Sequence, residues 1–476
     1  MSVTLIFASI IIVYLLHDFV KKLLVWSKLP PGPWGVPFLG SIPFLLGGPL
    51  HKILDSMRKK YGDIYTLGLF HKQVVMLSNW ELVRDFFGRT EFSGRPDAVA
   101  FRQFSFGKNG IISSEGSLWQ DNRRFTMRVL RDFGFGKTAA LDSMIQDAAL
   151  GLCQYFKENK DKPQDFGPRL NLAVLNIIWK MAADKTFSHD DPKMQDFMNR
   201  LMQVMSDSAL VGPFQWVPAF IYLWPPALRA SRRVDRNMAV ISQIFLDEVR
   251  QHKRNLPSSG GAKDYIDAYL TEMEQQKSRG EINPNFSELQ LRVNISDLFI
   301  AGSETTSNTT RWCILFLLCH PEIQEKLQAE IDNVVGRDRL PSLNDRDRMP
   351  YTEAFIMEVQ RLARLTPLGV THAVTEDVEF DGYRFPKGTV FMSNIWSCHS
   401  DPKYWPDPEK FDPGRFLNSD GTLKTKIPSF LPFALGKRQC LGESLARMEL
   451  FLFVTIFMHN TERMKHEFTS HINTFL

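Results

Sequence analysis

Cys440 stands where a sulfur atom can do chemistry. It belongs to Pro432-Phe433-Ala434-Leu435-Gly436-Lys437-Arg438-Gln439-Cys440-Leu441-Gly442, with a glycine four residues before it and another two after. Glycine lacks a Cβ, so Gly436 and Gly442 let backbone approach a flat ligand closely. An amphipathic helix through Glu443, Arg447 and Glu449 follows. The amides at its start favour a thiolate over a thiol. Arg438 offers a fixed cation to a carboxylate on the same ligand. Such a loop presents sulfur to a metal, whereas the bland alternative is a free cysteine in a glycine-rich turn. The other cysteines, at 153, 313, 319 and 398, show no C-x-x-C spacing. Neither a zinc site nor a disulfide framework is expected, and the odd count suits a reducing compartment.

Three further groupings carry chemistry. Glu358-Val-Gln-Arg361 sets a carboxylate and a guanidinium three residues apart on one helix face, where a charge-assisted pair can form. Ala301-Gly302-Ser303-Glu304-Thr305-Thr306 lies in a helical stretch from about Leu289. A glycine followed by hydroxyls that can bond back to carbonyls is a place for a helix to open locally. Trp119-x-x-x-Arg123 puts an indole donor and a guanidinium on one helix face. Singly, the first would be a solvated pair and the second a Ser/Thr-rich patch on an ordinary buried helix.

In chain order with the cysteine they acquire a common meaning. F-x-x-G-x-R-x-C-x-G, as Phe433, Gly436, Arg438, Cys440 and Gly442, resembles the haem-binding loop of the cytochrome P450 family. The resemblance implies haem b (iron protoporphyrin IX) with Cys440 as axial ligand, whose thiolate pushes electron density onto iron and promotes O–O cleavage. Phe411-Asp-Pro413-Gly-Arg415-Phe416 resembles the family's P-x-R-F element, so Arg415 is expected to join Glu358 and Arg361 and lock the loop leading to Cys440. The 301–306 segment resembles the distal helix, with Thr305 and Glu304 as the catalytic pair that orients water and delivers protons to reduced dioxygen. Asp297 and Ala301, within two turns on the same face, are expected to line the substrate pocket. Arg438, Trp119 and Arg123 match haem contacts, and Arg95 and His372 match further propionate contacts of the animal drug- and steroid-metabolising branch. There proline usually stands where this chain has Thr371. Arg124, Arg131 and Lys137 match positions of reductase contact. Arg124, Arg128 and Arg131 recur at i, i+4 and i+7, on a face distinct from Arg123.

Several elements must position these residues. Val3 to Leu16 is almost continuously apolar and lysines follow, so residues 1–28 are expected to form a signal anchor with the body on the cytoplasmic side. An interfacial helix is the alternative, because about 20 apolar residues are needed to span a bilayer. Residues 29–40, with prolines at 30, 31, 33 and 37, are expected to be a stiff hinge. Strand-like runs at 64–70 and 74–77, helical periodicity from Trp80 to about Gln360, short extended pieces from Val378 to Val390 and a last helix from about Gly442 predict a mainly α fold with a minor β region. No repeat or linker divides residues 41–476, so one large catalytic domain is expected. The loop from Ala209 to Leu228 carries Phe214, Trp216, Phe220, Ile221, Leu223 and Trp224, more apolar surface than a solvated loop needs, and is a candidate either for membrane contact or for a place tucked under neighbouring helices. The C-terminal end, 458–476, is polar and lacks the β-hairpin pattern that the resemblance implies, so it reads as atypical, with truncation as one origin.

Composition sets outer limits. The chain has 476 residues, 44% hydrophobic, with 37 Phe and 18 Met, enough for a large core with an adaptable apolar pocket. A net charge of +4 without a compact basic cluster argues against nucleic acid. No G-x-G-x-x-G follows a strand, so electrons are expected from a partner, NADPH-cytochrome P450 reductase, with cytochrome b5 as a second candidate. The expected activity is insertion of one oxygen atom from O2 into an apolar small molecule (steroid, terpenoid, fatty acid or xenobiotic) at the cytoplasmic face of the endoplasmic reticulum membrane. A haem-thiolate isomerase or dehydratase and an inactive haem-binding protein are the competing readings.

Overall fold

The computed structural model describes Trp26 to Asn460, with Val13, Leu16, His17 and Val20, leaving out Pro37, His71 and residues 134–138, 160–166, 213–217, 257–260 and 281–282. The anchor and the C-terminal end thus fall largely outside the described residues. Among those that are described, no helix is long and apolar enough to cross a membrane.

Helices dominate. Those that matter for the site are α1 (Leu50–Tyr61), α2 (Trp80–Phe87), α3 (Gly116–Asp132), α4 (Gly167–Ala183), α5 (Pro225–Asn255), α6 (Tyr265–Ser278), α7 (Glu288–Cys319), α8 (Pro350–Ala363) and α9 (Glu443–Asn460). Among the described residues six strands make the minor part: β1 (Ile64–Leu69), β2 (Lys72–Leu77), β3 (His372–Ala373), β4 (Val378–Phe380), β5 (Tyr383–Phe385) and β6 (Val390–Ser393). One sheet has the order β1-β2-β6-β3, with β2 and β6 parallel, and β4 pairs with β5 in a second. The parallel pair joins segments more than 300 residues apart, which no local pattern announces.

The proline-rich stretch lies along this sheet. Thr66 N–H donates to Pro31 O at 2.8 Å, and a Cβ on Gly32 would fall 1.9 Å from Thr66 O, so only glycine permits the approach. What the prolines stiffen is therefore an edge segment docked on β1.

Helix α7 runs through the core. Ser287 caps it by accepting from Gln290 N–H, and it packs against α4 along much of its length. On one side Phe299 shares an apolar cluster with Trp179, Phe197 and Phe245. On the other, Cys313 and Leu317 join Leu170, Phe355 and Phe451. The helix is continuous through Ala301–Thr306, so the expected local opening is not present. Gly302 serves a different end there, because a Cβ would meet Ile178 Cδ1 at 2.7 Å. The small residue brings α4 close.

Candidate active site

The cysteine loop is fixed from both ends. Cys440 N–H donates to Phe433 O at 3.0 Å, and Ala446 N–H to Gly442 O at 2.9 Å as α9 begins. Gly436 has φ +82°, and a Cβ there would lie 2.0 Å from Phe87 O, so this glycine admits α2. Nothing stands within 4 Å of a Cβ on Gly442, whose freedom is open space beside the sulfur. The Cys440 side chain is accessible. It nonetheless sits in a recess whose walls desolvate it, and that burial pushes the thiol up in the free protein. The N–H groups of Gly442 and Glu443 and the Arg123 charge pull the other way. A metal ion held there would add its charge to those and favour the thiolate.

Near the sulfur stand arginines whose guanidinium groups, among the described residues, make no salt bridge to a carboxylate. Arg438 is buried and donates to Ser93 O at 2.8 Å, Ile111 O at 3.1 Å and Ser114 O at 2.5 Å. Burial, then Arg95 and Arg123, pull it down to about 8. Arg95 is buried and donates to Ile112 O and Thr371 O, and burial with Arg123 pulls it down to about 10. Arg123 donates to Gln439 O at 2.6 Å. The Trp119 Nε1–H is buried with no partner. Three guanidiniums held by neutral carbonyls, beside an orphaned indole N–H, are a site short of anions. The two propionates of a haem fit that deficit, and the accessible sulfur fits its iron. His372 is buried in β3 with Nδ1 2.9 Å from Phe92 O, its ring stacked 3.7 Å from Phe87. Burial holds it neutral, and Thr371 in place of the usual proline leaves it there.

The opposite wall comes from α7. Ala301 and Thr305 are exposed although their neighbours Ser303, Thr306 and Ser307 are buried, so this strip borders a cleft inside the core. Thr305 Oγ1 donates to Ala301 O at 2.8 Å. Glu304 lies on the flank of the helix, accepting from Asn171 Nδ2 at 3.3 Å and Asn308 Nδ2 at 3.0 Å. Asp297, one turn before Ala301 on the same helix, is held by backbone amides. Its carboxylate is buried and accepts from Ile111 N–H at 2.6 Å and Ile112 N–H at 2.9 Å. It therefore caps the loop that also supports Arg438, and burial, eased by those two amides, pushes it up to about 7.

Glu358, Arg361 and Arg415 meet in one cluster. Arg361 and Glu358 are fully buried and joined at 2.6 and 2.8 Å, and Arg415 Nε lies 3.4 Å from the same carboxylate. Arg361 also donates to His399 O and Pro408 O, while Glu358 accepts from Asp412 N–H. On α3, Arg124 and Arg131 are exposed, whereas Arg128 pairs with Glu272 of α6 at 3.1 Å. Lys137 lies outside the described residues.

Some participants carried no recognisable sequence signal. Glu115 accepts from Arg95 N–H and pairs with Lys108, and His399 accepts from Leu431 N–H ahead of the cysteine loop. Leu365 and Val370 are exposed apolar side chains in the break after α8. Pro367 and Gly369 mark that break in the sequence, and so were the available hint.

Comparison with known proteins agrees with this geometry. The family model "Cytochrome P450" matches residues 30–469. The chain is similar to cytochrome P450 2L1 of Panulirus argus, 39% identical over 91% of this chain and 88% of the relative. It is likewise similar to cytochrome P450 2J1 of Oryctolagus cuniculus, at 38% over 91% and 85%, and to cytochrome P450 2C8 of Homo sapiens, at 36% over 94% and 90%.

Proposed function

From the premise that the chain belongs to the cytochrome P450 family and is a haem b monooxygenase, we propose that it inserts one oxygen atom from O2 into an apolar small molecule, drawing electrons from NADPH-cytochrome P450 reductase. The carrying observation is the accessible Cys440 sulfur in one loop with Arg438, which with Arg95 and Arg123 donates its guanidinium bonds to neutral carbonyls rather than to carboxylates. When bound, the haem supplies dioxygen binding and the O–O cleavage that a thiolate ligand promotes.

The chain's own residues do the rest. Arg438, Arg95, Arg123 and Trp119 would hold the propionates, with His372 beside them, and Phe433, Gly436 and Gly442 would shape the loop around the sulfur. Thr305, whose hydroxyl already donates to Ala301 O, keeps its lone pairs free to accept from a water in the cleft. Glu304, steadied by Asn171 and Asn308, is the nearest carboxylate in sequence from which that water can be resupplied with protons. Ala301 presents apolar surface to the cleft, which suits a steroid, terpenoid, fatty acid or xenobiotic.

The reading includes an endoplasmic reticulum membrane, with the body on its cytoplasmic face. Trp34, Phe38, Phe44 and Leu46 are exposed near the N-terminus, and Tyr222, Leu223 and Trp224 before α5. The neighbouring Leu45 shares an apolar cluster with Phe101 of the helix Val99–Phe104, and Val99 packs on the cluster of Ile221 and Ala227. Exposed apolar surface of this extent suits a lipid interface.

The test is Cys440→Ala in the haem-loaded protein. The thiolate-type absorption of its reduced carbon monoxide complex should vanish, whereas Ser at 153, 313, 319 or 398 should leave it. Persistence of that band in Cys440→Ala would sink the assignment, and failure of NADPH plus reductase to drive product formation would sink the monooxygenase reading.

A further inference from the structure

A buried polar network lies in the core between α3, α6 and α7. Asn122 is fully buried with its amide saturated. Its Oδ1 accepts from Asn294 Nδ2 at 2.8 Å and Tyr269 Oη at 2.9 Å, and its Nδ2 donates to Leu118 O and Asn285 O. Asn294 Nδ2 also donates to Tyr265 Oη at 3.2 Å, and that hydroxyl lies 2.8 Å from Thr126 Oγ1. Asn122, Thr126, Tyr265, Tyr269 and Asn294 have no exposed surface. Polar groups so buried tolerate little displacement, because a broken bond leaves a desolvated donor or acceptor.

The two asparagines occupy telling places. Asn122 lies between Trp119 and Arg123 on α3, the helix along the propionate edge. Asn294 is followed at i+7 and i+11 by Ala301 and Thr305, which an α-helix places on the same face, about 10 and 16 Å further along. Between them Asp297 clamps the 111–112 backbone. The same face of α7 is thus pinned at two successive turns and then opens onto the cleft. The surrounding contacts of Phe125, Ile295 and Phe299 are apolar and non-directional, so they would allow α7 to slide or rotate. The amide pair would not.

We infer that Asn122 and Asn294 are positioning residues: their bond fixes the rotation and axial register of α7 against α3, and so sets where Thr305 stands relative to the haem. This rests on Thr305 as the oxygen-activating hydroxyl. A displacement of about 1 Å at a reacting centre can lower rate by about a hundredfold, so even a partial shift should be visible.

The experiment compares three variants of the haem-loaded full chain with reductase: Asn294→Leu, Leu291→Ala and Thr305→Ala. Leu291 is a fully buried apolar residue one turn earlier on α7 and outside the network, so its truncation controls for lost stability. All three should retain the thiolate-type carbon monoxide band. Well below its unfolding temperature, Asn294→Leu should form about tenfold less product per NADPH consumed and show an altered ferric low-spin spectrum. Leu291→Ala should lower the unfolding temperature while coupling as the parent does. An Asn294→Leu protein that is less stable yet keeps parental coupling and ferric spectrum overturns the inference. Thr305→Ala separates the premise: if it couples like the parent, the oxygen-activating role falls. The Asn294→Leu ferric spectrum still reports the register.

Discussion

The Arg438 guanidinium lies 3.9 Å from the centre of the Trp119 ring while donating to three backbone carbonyls of the 93–114 segment. One side chain thus joins the cysteine loop, α3 and the stretch leading into it. Lysine keeps the charge but cannot reach three acceptors or stack on the indole. Arg438→Lys should therefore weaken haem retention by about 3 kcal/mol, roughly a hundredfold in the equilibrium, as charged hydrogen bonds of about 1.5–3 kcal/mol each are lost. Haem transfer to a scavenging apoprotein measures this, and retention at the parental level would show that Arg95 and Arg123 suffice.

The Glu358–Arg361 pair is expected to be the most sensitive position for folding. Burial pushes the Glu358 carboxyl up, against the pull of Arg361, so its ionised state depends on that partner. Glu358→Gln leaves the buried guanidinium uncompensated, which costs about 3–5 kcal/mol. The yield of soluble, haem-loaded protein should collapse. Arg415→Ala, at the edge of the cluster, should reduce that yield less.

His252 supplies a pH dependence remote from the haem. Burial lowers it, but Asp264 at 3.0 Å and Glu248 at 3.3 Å outweigh that and raise it to about 9. A raised folded value means stability present in full below about 6.5 and lost as pH climbs through about 9. Relative to His252→Gln, the parent should be more stable by about 3 kcal/mol at pH 6, a gap that closes near pH 10. Urea denaturation at pH 6, 8 and 10 provides the measurement, and a pH-independent gap would refute the charged state of His252.

Electron delivery should depend on the exposed face of α3. Reversing Arg124 and Arg131 to Glu should slow reductase-supported turnover most at low salt, while peroxide-supported turnover survives. Arg128→Glu should act mainly on stability, because Arg128 is paired with Glu272. Equal loss by both electron routes would point to damaged folding.

What the sequence determined is what rests on short, ordered spacings. The cysteine loop, the Glu358–Arg361 pair with Arg415, and the α7 strip ending at Thr305 are local patterns whose chain order excludes accident, and helical periodicity placed α7 within a residue of its start. What tertiary structure decided are the directions of side chains and the meetings of distant segments. Asp297 and Ala301 share one helical face by spacing, but spacing could not show that the amides of Ile111 and Ile112 meet the carboxylate. Gly302 and Gly436 look alike as freedoms of the chain, but Ile178 and Phe87 O, from far along the sequence, give each its purpose. Asn122 and Asn294, 172 residues apart, looked like unremarkable polar residues. Periodicity reports which face of a helix is apolar, and it carries no information about which distant donor or acceptor a buried polar group will meet.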